Sequence, residues 1–404
     1  MPRVLLLLPT ESYRAKDFLA AAERVGVEVV VGCDRRLALA DAMGDRAVVV
    51  PLAKVGVAVE IIAALHERRS LDAVLAVDDQ GLVVAAAASA RLGLSHNPVD
   101  AVAATRDKAV LRARLAAAAV AQPDYRVVSP GRSVAAAAAH IGYPGVVKPV
   151  SRSGSQGVIR VEDAVQASAA AERVRAIVGP DEPVLVEGFV AGAEVAVEAV
   201  LVAGVLEVLA VFDKPDPLDG PFFEETIYVT PSRQPEGILA SLAATVASAA
   251  AAVGLREGPV HAELRVRADG GPVVIEVAAR SIGGLCARAL RFGAGVSLEE
   301  VILRHAVGVG LDGLRRETQA SGVMMLPIRA AGMLHQVSGQ AEALAVDGVV
   351  GLEITIAAGR LVVPLPEGDR YLGFVFARGP TAAEVELALR RAEAALDVVV
   401  RPGS

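Results

Sequence analysis

His261-Ala262-Glu263-Leu264-Arg265 is followed, across Arg267-Ala268-Asp269-Gly270-Gly271-Pro272, by Val274-Ile275-Glu276-Val277-Ala278-Ala279-Arg280. An Asp-Gly pair between two such runs is a hairpin signal. With Asp269 and Gly270 as the loop, Ala268 pairs with Gly271, and counting outward sets Glu263 opposite Glu276 and His261 opposite Ala278. Side chains alternate along a strand, so His261, Glu263 and Arg265 share one face, as do Glu276, Ala278 and Arg280. Facing carboxylates repel unless a cation lies between them. Hard oxygen ligands on a rigid sheet suit Mg²⁺, which binds one or two protein carboxylates together with substrate phosphates. Arg280, on the same face, is then placed to meet an anion. The competing reading is an exposed hairpin with ordinary surface charges. The apolar flanks and the one-sided placement of the charges speak against it.

With 404 residues the chain has room for two or three domains with real cores. It is 53% hydrophobic yet has no Trp and few aromatics, with much Ala and Val, which reads as a helix-rich α/β protein packed through small side chains. A net charge of −7 with interspersed signs argues against a nucleic-acid surface. Cys33 and Cys286 are too few for a disulfide framework or a thiolate metal site. The run Val4-Leu5-Leu6-Leu7-Leu8 is too short for a secretory or membrane segment and reads as a buried first strand. A soluble, cytoplasmic protein is expected.

The first hundred residues alternate strand and helix: strands at 5–8, 28–31, 47–50 and 73–77, helices at 15–25 and 59–68. This is a parallel, doubly wound layer. The turn after its first strand, Pro9-Thr10-Glu11-Ser12-Tyr13, lacks the G-x-G-x-x-G of a dinucleotide site. Asp78 and Asp79 follow the last strand, where such sheets bind ligands, and are read as helix caps in preference to site residues. A helical segment runs from Asp100 to Pro123 with Arg106, Lys108, Arg112 and Arg114. The apolar strand Gly145 to Val150 carries Lys148 and leads into Ser151-Arg152-Ser153-Gly154-Ser155-Gln156-Gly157, a loop rich in N–H and hydroxyl donors that can fold over phosphates. No Gly-Lys-Ser/Thr follows, so it is not a Walker A loop. Next, Val184-Leu185-Val186-Glu187-Gly188-Phe189-Val190 breaks at Ala191-Gly192 and resumes with Glu194.

Taken together, Thr105-Arg106-Asp107-Lys108, Val147-Lys148-Pro149 with its loop, Val186 to Val190 with Glu194, and the Glu263/Glu276/Arg280 hairpin resemble the ATP-grasp superfamily over nearly the whole chain. The resemblance implies an α/β and α+β fold in three parts: a Rossmann-like N-terminal domain over 1–103, an ATP-grasp domain over 104–310 with a lid at about 125–187, and a C-terminal α+β domain over 311–404. It implies ATP and Mg²⁺, with Mn²⁺ as an alternative. Lys108 and Lys148 would hold phosphates, with Ser153, Gly154, Ser155, Gln156 and Gly157 closing over them. Glu187, Gly188, Phe189 and Val190 would line the adenine site, and Glu194 would meet the ribose. Glu263 and Glu276 would be the metal ligands, and Arg280 would stabilise the transferred phosphoryl group.

The usual Glu-x-Asn-x-Arg is here Glu276-Val277-Ala278-Ala279-Arg280, a version similar to the L-amino-acid ligase branch. It removes one amide ligand and leaves the number of metal ions open. His261 either fills that space or is a packed, satisfied histidine. The resemblance implies phosphorylation of a substrate carboxylate, then attack of an amine on the acylphosphate, with amino-acid-like partners and a homodimer left open. In the loop from Asp213 to Glu225, Lys214 is read as reaching a phosphate. Glu224 or Glu225 is a candidate for meeting a substrate amino group, with a solvated loop the favoured reading. Ser281, Gly283 and Gly284 offer no bulk beside Arg280. Other readings are a carboxylase-like or nucleotide-biosynthesis member, though the chain has no Met-Lys-Met biotinyl site, and a silent nucleotide-binding module.

Overall fold

The computed structural model describes residues 1–10, 12–36, 43–311 and 313–402. Strands β1 (Arg3–Leu8), β2 (Glu28–Cys33), β3 (Ala47–Val49) and β4 (Ala73–Ala76) form a parallel sheet in the order β3-β2-β1-β4. All six residues of β1 are buried. Helices cover both faces of such a sheet, so a continuous apolar run is what its central strand requires. The first helix, Ala15–Val25, ends at Gly26, whose φ of 75° suits the left-handed cap.

A second, antiparallel sheet joins β5 (Tyr125–Val128), β6 (Gly145–Pro149), β7 (Ile159–Val161) and β8 (Val184–Gly188) in the order β5-β8-β6-β7. The remaining strands are β9 (Ala193–Val202), β10 (Val205–Lys214), β11 (Ile227–Thr230), β12 (Gly258–Val266), β13 (Pro272–Ala278), β14 (Ala320–Leu326), β15 (Gly332–Ser338), β16 (Val349–Ile354), β17 (Leu361–Val362), β18 (Gly373–Gly379) and β19 (Asp397–Arg401). They build an eight-stranded sheet, β13-β12-β9-β10-β11-β14-β18-β16, and a small sheet, β17-β15-β19. The C-terminal strands β14, β16 and β18 thus extend the sheet that carries the glutamate hairpin. The helix Glu236–Val253 is long and apolar enough to cross a membrane by length and composition alone. Here Leu242, Val246, Ala249, Ala250 and Val253 pack into the core beside β9, β12 and β13.

Two local expectations are corrected. The segment from Asp100 to Pro123 is two helices, Val99–Arg106 and Lys108–Ala117. Asp107 separates them, and its carboxylate accepts from the N–H groups of Ala109 and Val110 as an N-cap. Lys108 therefore starts a helix instead of lying within one.

The hairpin turn is also wider than the Asp-Gly pair. Arg267 N–H donates to Gly271 O and Gly270 N–H to Arg267 O, so Val266 pairs with Pro272 and Leu264 with Val274. That register is one residue off the count made from the sequence. A bulge at Ile275 cancels the offset, restoring Glu263 opposite Glu276 and His261 opposite Ala278. Buried Arg112 fastens the bulge, donating to Ile275 O at 2.7 Å and to Val274 O at 3.3 Å.

Candidate active site

The three larger sheets surround a cleft of about 800 Å³. Its floor is set by strand register: β9 lies against β12 with Glu198 opposite His261, Ala196 opposite Glu263 and Glu194 opposite Arg265. Glu263 accepts from Tyr228 (3.4 Å) and His261 (3.3 Å) and pairs with Lys214 at 3.1 Å. Burial would raise its pKa, but Lys214 and His261 hold it down. Glu276 is likewise lowered against burial, by Lys108, Lys148 and Arg280, with Lys108 Nζ 3.6 Å away. Two carboxylates kept ionised on adjacent strands, with charge and oxygens facing one cleft, fit a divalent metal.

Lys108 and Lys148 both line this cleft. Lys108 Nζ also donates to Arg152 O at the base of the glycine-rich loop. Lys148 pairs with Glu187 at 2.7 Å, and Arg112 takes the same carboxylate at 2.6 Å. Burial lowers Lys148, Glu187 opposes, and Arg112 and Lys108 add to the lowering. Burial would raise Glu187, but Arg112 and Lys148 outweigh it and bring it to about 2. The Glu187 side chain is therefore the anchor of a buried pair of cations. Only the backbone after it, with Gly188, Phe189 and Val190, is left to meet a base. Arg160 and Arg265 lie over the Phe189 ring, 4.3 and 4.9 Å from its centre.

Ser153, Gly154, Ser155 and Gln156 line the cleft. The loop is docked at its far end, where Gly157 N–H donates to Pro366 O and the Gln156 amide to Glu367 O, both at 2.8 Å. Ser155 has a φ of 57°, an uncommon conformation for a non-glycine residue.

Lys214 departs from its expected place. It is buried among three carboxylates, Glu194 (2.8 Å), Glu225 (2.6 Å) and Glu263 (3.1 Å), which raise its pKa despite burial. It neutralises the acidic floor and does not stand free for a phosphate. Glu194 also accepts from Arg265 at 2.9 Å, so both its oxygens are engaged. Glu194, Glu225 and Glu263 lie close enough to share one ion. Of the two loop glutamates only Glu225 lines the cleft, accepting from Tyr228 (2.7 Å) and Tyr371 (3.2 Å). Glu224 lies near Arg329 and Glu393, away from the cleft.

His261 is the satisfied histidine: Nδ1 meets Glu198, Nε2 meets Glu263, and its pKa rises to about 9 because these carboxylates outweigh burial. Ser281 is buried and accepts from Arg14 Nη2 at 2.9 Å, so it is removed from the substrate candidates. Gly283 and Gly284 do line the cleft. A Cβ on Gly284 would lie 2.8 Å from the Phe374 ring, and its φ is 60°. Arg280 pairs bidentately with Asp79, which lies after β4. The helix-cap reading of Asp79 is thereby corrected, since no side chain caps the turn Asp79–Gly81 or the following helix Leu82–Leu92.

Three family models match this chain: ATP-grasp N-terminal domain over residues 19–96, ATP-grasp domain over 141–289, and L-amino acid ligase C-terminal domain 2 over 324–401. The chain belongs to the ATP-grasp superfamily. Within it, the chain lies near the L-amino-acid ligases. An uncharacterized protein, y4rH, of Sinorhizobium fredii is 28% identical over 315 residues, 74% of this chain and 62% of that protein. A D-alanine–D-alanine ligase of Aromatoleum aromaticum is 34% identical over 181 residues, 44% of this chain and 57% of that protein. The matched parts thus span less than two thirds of either relative. The crystal structure of an L-amino acid ligase from Bacillus licheniformis superposes with a TM-score of 0.82 at 23% identity, over 99% of each chain. ATP-grasp ligases use ATP and Mg²⁺ or Mn²⁺. The ionised Glu263–Glu276 pair and the cationic Lys108 and Lys148 suit that set.

Proposed function

We propose that this protein is an ATP-dependent carboxylate–amine ligase that makes an amide through an acylphosphate from amino-acid-like substrates. The observation that carries the reading is the convergence of Glu263, Glu276, Lys108, Lys148 and Arg280 on one cleft. The same reading divides the chain at about residues 103 and 310, places the lid at about 125–187 and puts the protein in the cytoplasm.

Glu263 and Glu276 would hold Mg²⁺, which when bound draws off charge from the nucleotide phosphates. Lys108 and Lys148 present cationic groups to the same phosphates. Arg280 presents a planar guanidinium that matches phosphoryl or carboxylate oxygens. A substrate carboxylate oxygen attacks the γ-phosphorus, the bond to the β-γ bridging oxygen breaks, and ADP leaves. Nitrogen of the second substrate then attacks the acyl carbon, phosphate leaves, and the nitrogen gives up a proton. The loop Ser153 to Gly157, docked on Pro366 and Glu367, keeps water from the acylphosphate. Glu225, the loop glutamate that lines the cleft, is assigned to the substrate amino group, which would meet it at Oε2 beside the Tyr371 hydroxyl.

Gly283, where an added Cβ would meet only Arg280 Nη1 at 3.9 Å, leaves the wall beside Arg280 bare, consistent with a substrate side chain there. The experiment is ADP and phosphate release over a panel of amino-acid pairs. Release that needs both a carboxylic acid and an amine supports the reading. Release with bicarbonate alone, or no release with any pair, contradicts it.

A further inference from the structure

Asp79 and Arg280 are 201 residues apart in sequence and meet at the edge of the cleft. Arg280 Nε donates to Asp79 Oδ1 at 2.8 Å and Nη2 to Oδ2 at 3.1 Å, while Nη1 donates to Ser281 O at 3.0 Å. A guanidinium has five N–H donors. Three are therefore taken, and the two that remain, one on Nη1 and one on Nη2, form a single planar fork. Among the described residues no other hydrogen-bond acceptor meets these two N–H groups, Arg280 lines the cleft, and Gly283 puts no side chain beside Nη1, an added Cβ lying 3.9 Å away.

Asp79 is itself held from two further directions. Arg106, at the end of the helix before Lys108, reaches Oδ1 at 3.2 Å. Ser153 of the glycine-rich loop lies near the same carboxylate and helps to hold it down. Burial would raise its pKa, yet Arg280 and Arg106 keep it far below the usual carboxylate range. The β4 loop, the Arg106 helix, the glycine-rich loop and the strand end at Arg280 thus converge on one ionised group. None of these contacts is needed to cap a helix.

We infer that Asp79 is a positioning residue: by occupying the side edge of the Arg280 guanidinium and tying it to Arg106, it aims the free fork at the phosphoryl group in transfer. A neutral amide at 79 accepts on one atom only and cannot hold both Nε and Nη2 in plane. The inference rests on the proposed role of Arg280, and the test separates the two.

The probe is MgADP with and without fluoroaluminate, a mimic of the transferred phosphoryl group, with binding read by calorimetry. In the parent, fluoroaluminate should tighten ADP binding. Arg280→Lys should lose that tightening. Asp79→Asn should lose at least about tenfold of it, less than the about 10²–10³ that removing such a donor outright costs, while its affinity for MgADP alone stays within about twofold. In the Arg280→Lys background, Asp79→Asn should add nothing further, because it acts only through the guanidinium. Asp79→Glu serves if Asp79→Asn does not fold. It keeps the pair on a longer stem, displaces the fork and should lose tightening at unchanged MgADP affinity. If Arg280→Lys loses the tightening while Asp79→Asn (or Asp79→Glu in its stead) keeps it, the inference is wrong and the reading of Arg280 stands. If Arg280→Lys keeps it, the reading of Arg280 falls and the inference falls with it. Equal loss of MgADP affinity itself in Asp79→Asn marks a merely structural role and also overturns the inference.

Discussion

Replacing Arg112 with Met should cost more stability than any other single change of similar size near the cleft. Arg112 is only 1% exposed and makes four hydrogen bonds, two to Glu187 and one each to Val274 O and Ile275 O. Met keeps most of the aliphatic stem, so the loss is electrostatic and polar. Removing one partner of a buried ion pair costs about 3–5 kcal/mol. Lys148, still 2.7 Å from Glu187, offsets part of that. The two stranded carbonyls add about 1–3 kcal/mol each where water cannot reach them. Less the Lys148 offset, a net cost of about 4–10 kcal/mol follows, a large share of the usual margin of about 5–15 kcal/mol. Urea unfolding should show the midpoint fall at unchanged slope. The double variant with Glu187→Gln should deviate from additivity by at least about 1.5 kcal/mol, because the two side chains share one network. The bulge at Ile275 should loosen too, weakening Mn²⁺-dependent binding of a non-hydrolysable ATP analogue. A cost below about 1.5 kcal/mol, or strict additivity with Glu187→Gln, would refute the claim that this buried pair holds the hairpin in register.

Glu276→Gln keeps size but removes a charge from the pair opposite Glu263, so turnover should fall by about 10²-fold or more with the melting temperature little changed; near-parent ADP release would remove Glu276 from the metal assignment. Glu187, brought to about 2 from an ordinary 4.5, stabilises the fold above pH 4.5 and loses that contribution as pH falls through about 2. The gap is worth about 3 kcal/mol. Glu187→Gln should therefore flatten the acid limb of the stability curve, and parallel curves for parent and variant between about pH 5 and pH 2 would contradict the assignment. Protease cutting within residues 151–157 should slow when ATP analogue and Mg²⁺ are added, since nucleotide adds contacts to the middle of a loop anchored at its ends, by Ser151 on Glu182 and by Gly157 on Pro366; equal cutting with and without nucleotide would argue that the loop does not close on the phosphates.

What the sequence made legible was local. Lys148 with its loop, the break at Ala191-Gly192, and the glutamates of one hairpin each lie within a few residues of their own signal. The pairing of Glu263 with Glu276 came out correctly through two compensating errors, a turn read too short and an unforeseen bulge at Ile275. No turn-residue rule anticipates a bulge fastened by an arginine 163 positions away. The Arg112–Glu187 pair, 75 residues apart, and the Asp79–Arg280 pair were hidden for the same reason: burial and partner choice are tertiary facts. Lys214 was misplaced because a lysine beside a cleft suggests a phosphate, whereas three buried carboxylates already claim it. Ser281 was misplaced because the chain bends after β13 and buries its hydroxyl against Arg14. A cue was available for Arg112, which follows Lys108 by one helical turn on the same face.

The central claim, an acylphosphate made at the expense of ATP, is tested most directly by hydroxylamine. The parent enzyme is incubated with ATP, Mg²⁺, hydroxylamine and single amino acids as acid substrates, without a second amine. For the correct acid, the account predicts hydroxamate accumulating in step with ADP and phosphate, and near absence of all three with Glu276→Gln. Amide formation from a full substrate pair with no hydroxamate under these conditions, or release of AMP and pyrophosphate in place of ADP, would contradict it.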